Sequence, residues 1–204
     1  LGDVKPALLL HRADHLLAWD GAVWSRLNEL VSKGLLSKLG VSVQSVAEAK
    51  TAIACPQVQL IQIPFNLLDY RWYAEGIPEL IRNRPGLEVH VRSIFLQGIL
   101  LREQSKWPLI PHVDCSDILS RLTELSQELM RECVADLCIA WVRSHDWIQG
   151  VVIGIESISQ LEQNLKFFSR NPLTTDEARY VHESLPKVPD ELLNPALWNK
   201  INQS

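Results

Sequence analysis

The residues best suited to chemistry stand at the ends of short apolar runs. His11 follows ALLL; Ser42 lies near the end of KLGVSV; Gln62 and Asn66 lie in and just after VQLIQIPF. Arg92, Ser93 and Gln97 lie in and just after LEVHVRSIF, and Glu156 and Ser157 follow GVVIGI. An imidazole exchanges a proton near neutral pH or donates to a carbonyl oxygen. Hydroxyl and carboxamide groups offer paired donors and acceptors to a polar ligand. Each residue alone has a plainer explanation, such as a solvent-facing histidine at a strand exit or a strand glutamine satisfying a neighbouring backbone group. The recurrence of polar groups at the end of every run favours ligand binding. The four cysteines, Cys55, Cys115, Cys133 and Cys138, match neither a CxxC redox pair nor a zinc cluster. They read as reduced, buried thiols. No metal-ligand cluster or pair of carboxylates supports a different catalyst built around His11.

The runs that carry these residues are compact and rich in Val, Ile and Leu, as expected for strands buried on both faces: 7–11, 38–43, 58–65, 87–95 and 150–155. Segments of helical period separate them. AVWSRLNELVSKGL sets Val23, Leu27, Leu30 and Val31 on one face and stops at Gly34, while VAEAKTAIAC and GIPELIRNRPG predict two further helices. Pro78 suits a first helical turn, and Pro85 with Gly86 a stop. CSDILSRLTELSQELMRECVAD predicts the longest helix, capped by Ser116 or Asp117 and carrying Ile118, Leu122, Leu125 and Leu129 inward. CIAWVRSHD and SISQLEQNLKFF flank the last strand as helices. Strands alternating with helices imply parallel βαβ units with right-handed crossovers. An open doubly wound sheet and part of a (βα)8 barrel both satisfy that pattern, and no G-x-G-x-x-G turn follows the first strand. One domain over 1–204 is expected, with residues 176–204 forming a carboxyl-terminal helix, around 175–185, and an irregular tail packing through Leu197 and Trp198.

Bulk composition excludes some partners. A net charge of −4 carries no basic footprint for nucleic acid, and no apolar run reaches the length of a membrane span. No leader pattern opens the sequence, so a cytoplasmic location is expected. The chain begins at Leu1, not Met, and reads as a fragment.

The order of these segments resembles the aldo-keto reductases, nicotinamide-dependent carbonyl reductases built on a (βα)8 TIM barrel. LLLHRAD resembles the family's fourth-strand motif, which ends in its active-site histidine. SKGLLSKLGVSVQS resembles the fifth strand and the helix before it. QLIQIPFNLLD resembles the sixth strand with its Gln, and VHVRSIFLQGILL the seventh. VVIGIESISQLEQNL resembles the eighth strand and the helix that follows. Five motifs in order over roughly residues 1–175 are far more specific than any single one.

The resemblance implies a catalytic role for His11, which would orient the substrate carbonyl. It implies that Ser42 and Gln62 hydrogen-bond the nicotinamide carboxamide of NADP or NAD, and that Ser93, Gln97 and Gly98 lie along the pyrophosphate. Gly154, Glu156, Ser157, Gln160, Gln163 and Asn164 would bind the adenosine half, partly at a helix N-terminus. Arg92 stands where the family often has a Tyr stacking on the nicotinamide. There it would stack on the ring, grip an anionic substrate or a cofactor phosphate, or form a structural ion pair. Val43 replaces the usual Asn after the serine. Glu156 would repel a 2′-phosphate and accept from a free 2′-hydroxyl.

The family's Asp, Tyr and Lys lie upstream of the fourth-strand motif, and only ten residues precede His11. About five strands of an incomplete barrel are therefore expected, the fourth to eighth βα units without the amino-terminal ones. The 204-residue chain is expected to be inactive alone, with a small carbonyl compound as the parent enzyme's substrate. A non-catalytic reductase half, acting as an oligomerisation or regulatory module and self-associating through its open sheet edges, is the alternative.

Overall fold

The computed structural model describes residues 4–198; the first three residues and the tail beyond Trp198 lie outside them. Five strands form one sheet in the order β1-β2-β3-β4-β5. They are β1 (Ala7–Leu10), β2 (Lys38–Ser42), β3 (Leu60–Pro64), β4 (Glu88–Arg92) and β5 (Gly150–Val152). Each of the pairs β1–β2, β2–β3 and β3–β4 is parallel. Helices α1 (Ala22–Ser32), α2 (Val46–Ala54), α3 (Arg71–Ala74) and α4 (Ile77–Arg82) lie between the first four strands in sequence. Helices α5 (Cys115–Glu128) and α6 (Val134–Arg143) separate β4 from β5. Helices α7 (Ile158–Ser169), α8 (Thr175–Ser184) and α9 (Asp190–Leu193) follow β5. The expected helix around 175–185 is α8, while α9 makes the tail less irregular than expected.

The chain forms two compact units. The first comprises the chain up to Pro64, Arg71–Arg92 and Trp147–Val151; the second comprises Phe65–Tyr70, Ser93–Asp146 and the chain from Val152 onward.

In the first unit one face of the sheet is buried throughout β2, β3 and β4 and the other only in part. Leu39, Val41 and Val43 of β2 and its exit, Ile61 and Ile63 of β3, and Val89 and Val91 of β4 are all buried. On the other face Gly40, Leu60 and Pro64 are buried, while Lys38, Ser42, Gln62, Glu88, His90 and Arg92 are half-buried. Expected burial on both faces therefore holds at the centres of β2 and β3 and is corrected at β4, where period-2 alternation puts charged and polar groups on the second face, which water must reach. Helix α2 starts in a capping box of Ser45 and Glu48 and packs on β3 and α4. Helix α1 ends in a Schellman motif, with Leu35 N–H donating to Leu30 C=O and Gly34, at φ +70°, occupying the left-handed position. Its buried residue is Trp24, whereas Val23 is 37% exposed. Trp24 therefore takes the inward place expected of Val23, while Leu27, Leu30 and Val31 are half-buried.

In the second unit, the single long helix expected over 115–136 is two helices. Asp114, not Ser116 or Asp117, caps α5, accepting from the N–H groups of both later residues. Helix α5 then stops in a Schellman motif of its own, with Arg131 N–H donating to Ser126 C=O at 2.7 Å and Met130 N–H to Gln127 C=O at 3.1 Å. The left-handed position is held by Met130, at φ +52°, and not by glycine. Asp136, fully buried in α6, fixes the restart by accepting from Glu132 N–H at 3.0 Å.

All four cysteines are free thiols, but only Cys138 is buried; Cys55, Cys115 and Cys133 are partly exposed. Their apolar neighbours in sequence did not translate into burial because each of the three sits at a helix terminus. No helix among the described residues is long and apolar enough to cross a membrane.

Candidate functional site

In the first unit, β2 and β3 pair so that Ser42 lies opposite Gln62. Strand alternation turns both away from the buried face, and Ser42 Oγ lies 3.4 Å from Gln62 Oε1. The Gln62 amide NH2 has no hydrogen-bond partner among the described residues. Gln62 in turn pairs with His90, so Ser42, Gln62 and His90 form a row across three strands. His11 is the residue immediately after β1, exposed and without a hydrogen bond to any other described residue.

Arg92 ends β4. Its guanidinium donates to Gln44 Oε1 at 2.7 Å and to Val43 C=O at 3.2 Å. Burial lowers its pKa from the ordinary arginine value, opposed by the charge of Glu48. The guanidinium is thus oriented by the backbone and side chain that follow Ser42. Val43, where the family's Asn was expected, is buried and serves packing.

Three residues on the same face escaped sequence reading. Lys38 pairs with Glu88, and Glu88 Oε1 lies 2.7 Å from His90 Nε2. Burial, and then the charge of Lys38, lowers the His90 pKa, so its neutral ring donates to Glu88. The imidazole lies directly over Gly150, where a Cβ would come within 2.4 Å of the ring. The signal was present as the alternation Glu88, His90, Arg92 in EVHVR, which the apolar content of the run obscured. Among the described residues no group of three or more His, Cys, Asp or Glu is placed to hold a metal ion.

In the second unit, the segment after β4 is bent sharply. Ser93, Leu96, Gln97 and Gly98 have φ of +59°, +46°, +55° and +84°. Left-handed geometry costs non-glycine residues on the order of 1–2 kcal/mol each, and such strain concentrates at ligand sites. Gly154 and Glu156 lie exposed in the loop between β5 and α7. Ser157 caps α7, its Oγ accepting from Gln160 N–H at 3.2 Å, while Gln160 Oε1 accepts from Glu156 N–H at 2.8 Å. Both side chains therefore have a structural task. Gln163 is exposed and Asn164 half-buried on α7.

The aldo/keto reductase family model matches residues 6–186. The chain belongs to the aldo/keto reductase family. The chain is similar to the holo form of an aldo-keto reductase from Bacillus halodurans, at TM-score 0.70 and 21% identity over 94% of this chain and 65% of that one. It is similar to a thermostable aldo-keto reductase in complex with the inhibitor epalrestat, at TM-score 0.63 and 17% identity over 89% and 60%. It is also similar to a glycerol dehydrogenase from Gluconobacter oxydans, at TM-score 0.64 and 17% identity over 89% and 58%. At these identities the likeness shows the fold: a five-stranded parallel α/β sheet consistent with part of a reductase barrel. The chain spans less than two thirds of these relatives' length. No curated protein matches it.

Proposed function

We propose that this chain carries the nicotinamide-binding side of an NAD(P)H-dependent carbonyl oxidoreductase acting on an aldehyde or ketone. The observation that carries the reading is the in-register pair of Ser42 and Gln62, a hydroxyl and a carboxamide on adjacent strands with the Gln62 NH2 unengaged by described residues. That donor set matches a ligand carboxamide, which both donates and accepts. When bound, a reduced nicotinamide supplies the hydride, which no side chain can. Ser42 and Gln62 hold the carboxamide and so fix which ring face meets the substrate. His11 donates to the carbonyl oxygen, orienting and polarising it. Arg92, oriented by Val43 and Gln44, sets a cationic plane beside that pair. The strained turn of Ser93, Gln97 and Gly98 offers backbone to the pyrophosphate. Gly154, Glu156, Ser157, Gln160, Gln163 and Asn164 serve the adenosine half, and Glu156 favours a free 2′-hydroxyl over a phosphate.

Protonation of the developing alkoxide needs a further proton donor, and none of the residues proposed above fills that role. The chain mixed with NADH or NADPH and a simple aldehyde is expected to quench its tryptophan fluorescence without consuming the reduced cofactor. Clear turnover overturns the assignment of inactivity; absence of binding for both cofactors at millimolar concentration overturns the cofactor reading. The four free thiols support a cytoplasmic setting.

A second reading, a non-catalytic oligomerisation module, is favoured by α7. Ile158, Leu161 and Leu165 are 78%, 40% and 60% exposed and share one helical face, roughly opposite the buried Phe167. Exposed apolar stripes mark interaction surfaces, and β1 and β5 are the edges of the sheet. Light scattering that shows a dimer dispersed by Leu161→Glu supports this reading, and a monomer at all concentrations removes it.

A further inference from the structure

A cavity of about 190 Å³ in the second unit lies apart from every residue assigned above. The loop after β3 supplies Leu67 and Leu68 to its wall, and the end of α8 supplies Leu185 and Pro186. The three leucines are buried, so the wall is fixed and apolar. The rim carries two opposite charges, Glu183 and Lys187. Neither is ion-paired with a described residue, and they do not pair with each other although both act electrostatically on His182, which also lines the cavity. The Lys187 ammonium lies 5.5 Å from the centre of the Tyr70 ring, which keeps it at the rim.

We propose that this cavity binds a small zwitterion with an apolar side chain, of the α-amino acid class. An apolar wall alone would accept any small hydrophobe, and one rim charge would select an anion or a cation. A cation and an anion held apart on one rim pair at once with a ligand that carries both signs. The carboxylate faces Lys187, the ammonium faces Glu183, and the side chain lies on Leu67, Leu68 and Leu185. The volume matches a branched aliphatic or single-ring side chain, smaller than the pockets of roughly 300–1,000 Å³ that hold drug-sized ligands. Binding is independent of the nicotinamide reading, since no residue is shared.

The test is titration calorimetry on the whole chain without nicotinamide, using leucine, isovalerate (carboxylate only), isoamylamine (ammonium only) and glycine (no side chain). Leucine is expected to bind at least about tenfold more tightly than each of the other three, a difference of ~1.4 kcal/mol. Lys187→Gln and Glu183→Gln are expected each to weaken leucine binding by about tenfold or more with the melting temperature unchanged, whereas Tyr70→Phe, which keeps the ring, retains it. Absence of leucine binding at millimolar concentration overturns the proposal. So does equal binding of isovalerate or isoamylamine, which would make the cavity a simple apolar or singly charged pocket, and so does unchanged affinity in both rim variants.

Discussion

At the scale of single residues, two neighbours on one sheet face have distinct work. Gln62 is the group on which the proposed cofactor recognition rests, whereas His90, one strand away, is held by Glu88 and by the bare backbone of Gly150. Gly150→Ala is therefore expected to drive a methyl into the imidazole and destabilise the chain by about 1–3 kcal/mol, as overpacking does. His90→Ala in the same background should recover most of that loss, and a double-mutant cycle by urea unfolding measures the coupling. In the proposed adenosine site, Glu156→Lys is expected to raise affinity for NADPH relative to NADH by about tenfold, through one new charge-assisted contact. An unchanged ratio in competition binding would remove Glu156 from the adenosine site.

At the scale of elements, the break between α5 and α6 rests on a non-glycine residue in a left-handed position and on a buried carboxylate. Met130→Gly removes the left-handed strain at the cost of chain entropy, and the net effect expected is stabilisation by about 0.5–1 kcal/mol in thermal or urea unfolding. Asp136 is fully buried, within 3.3 Å of Arg170 Nε and 3.8 Å of Arg131 Nη1. Asp136→Ala is expected to cost about 3–5 kcal/mol, since it leaves two guanidinium groups short of their counter-charge. These features also mark where sequence reading succeeded and failed. Strand positions were legible because each run is short and rich in Val, Ile or Leu, between segments of helical period. The Schellman end at Gly34 was legible because glycine signals it; the same motif at Met130 was not, because its signal is backbone geometry alone. The choice of Ser42 and Gln62 followed from motif order, but their facing each other, like the ion-paired column of Lys38, Glu88 and His90, depends on strand register, which no single run reveals.

At the scale of the whole molecule, acid stability follows from a buried imidazole. His145 packs edge-on to Trp141 and Phe65, and its Nδ1 lies 2.7 Å from Trp141 C=O. Burial pushes its pKa down from 6.5 to about 4. The fold therefore favours the neutral ring, so this contribution is complete above pH 6.5 and is lost as pH falls through the interval from 6.5 toward 4. It amounts to about 3 kcal/mol at the acid end. His145→Phe, which keeps an aromatic ring, should shift the acid unfolding midpoint to lower pH; an unchanged midpoint would assign acid sensitivity to other groups. The central claim, that this reductase-family chain holds a nicotinamide through Ser42 and Gln62, is tested most directly by the nitrogen-15 NMR signal of the Gln62 side-chain amide. Addition of NADH or NADPH is expected to shift that signal saturably, and Ser42→Ala to weaken the response. An amide signal that stays fixed while either cofactor binds elsewhere, or fails to bind, would contradict the account.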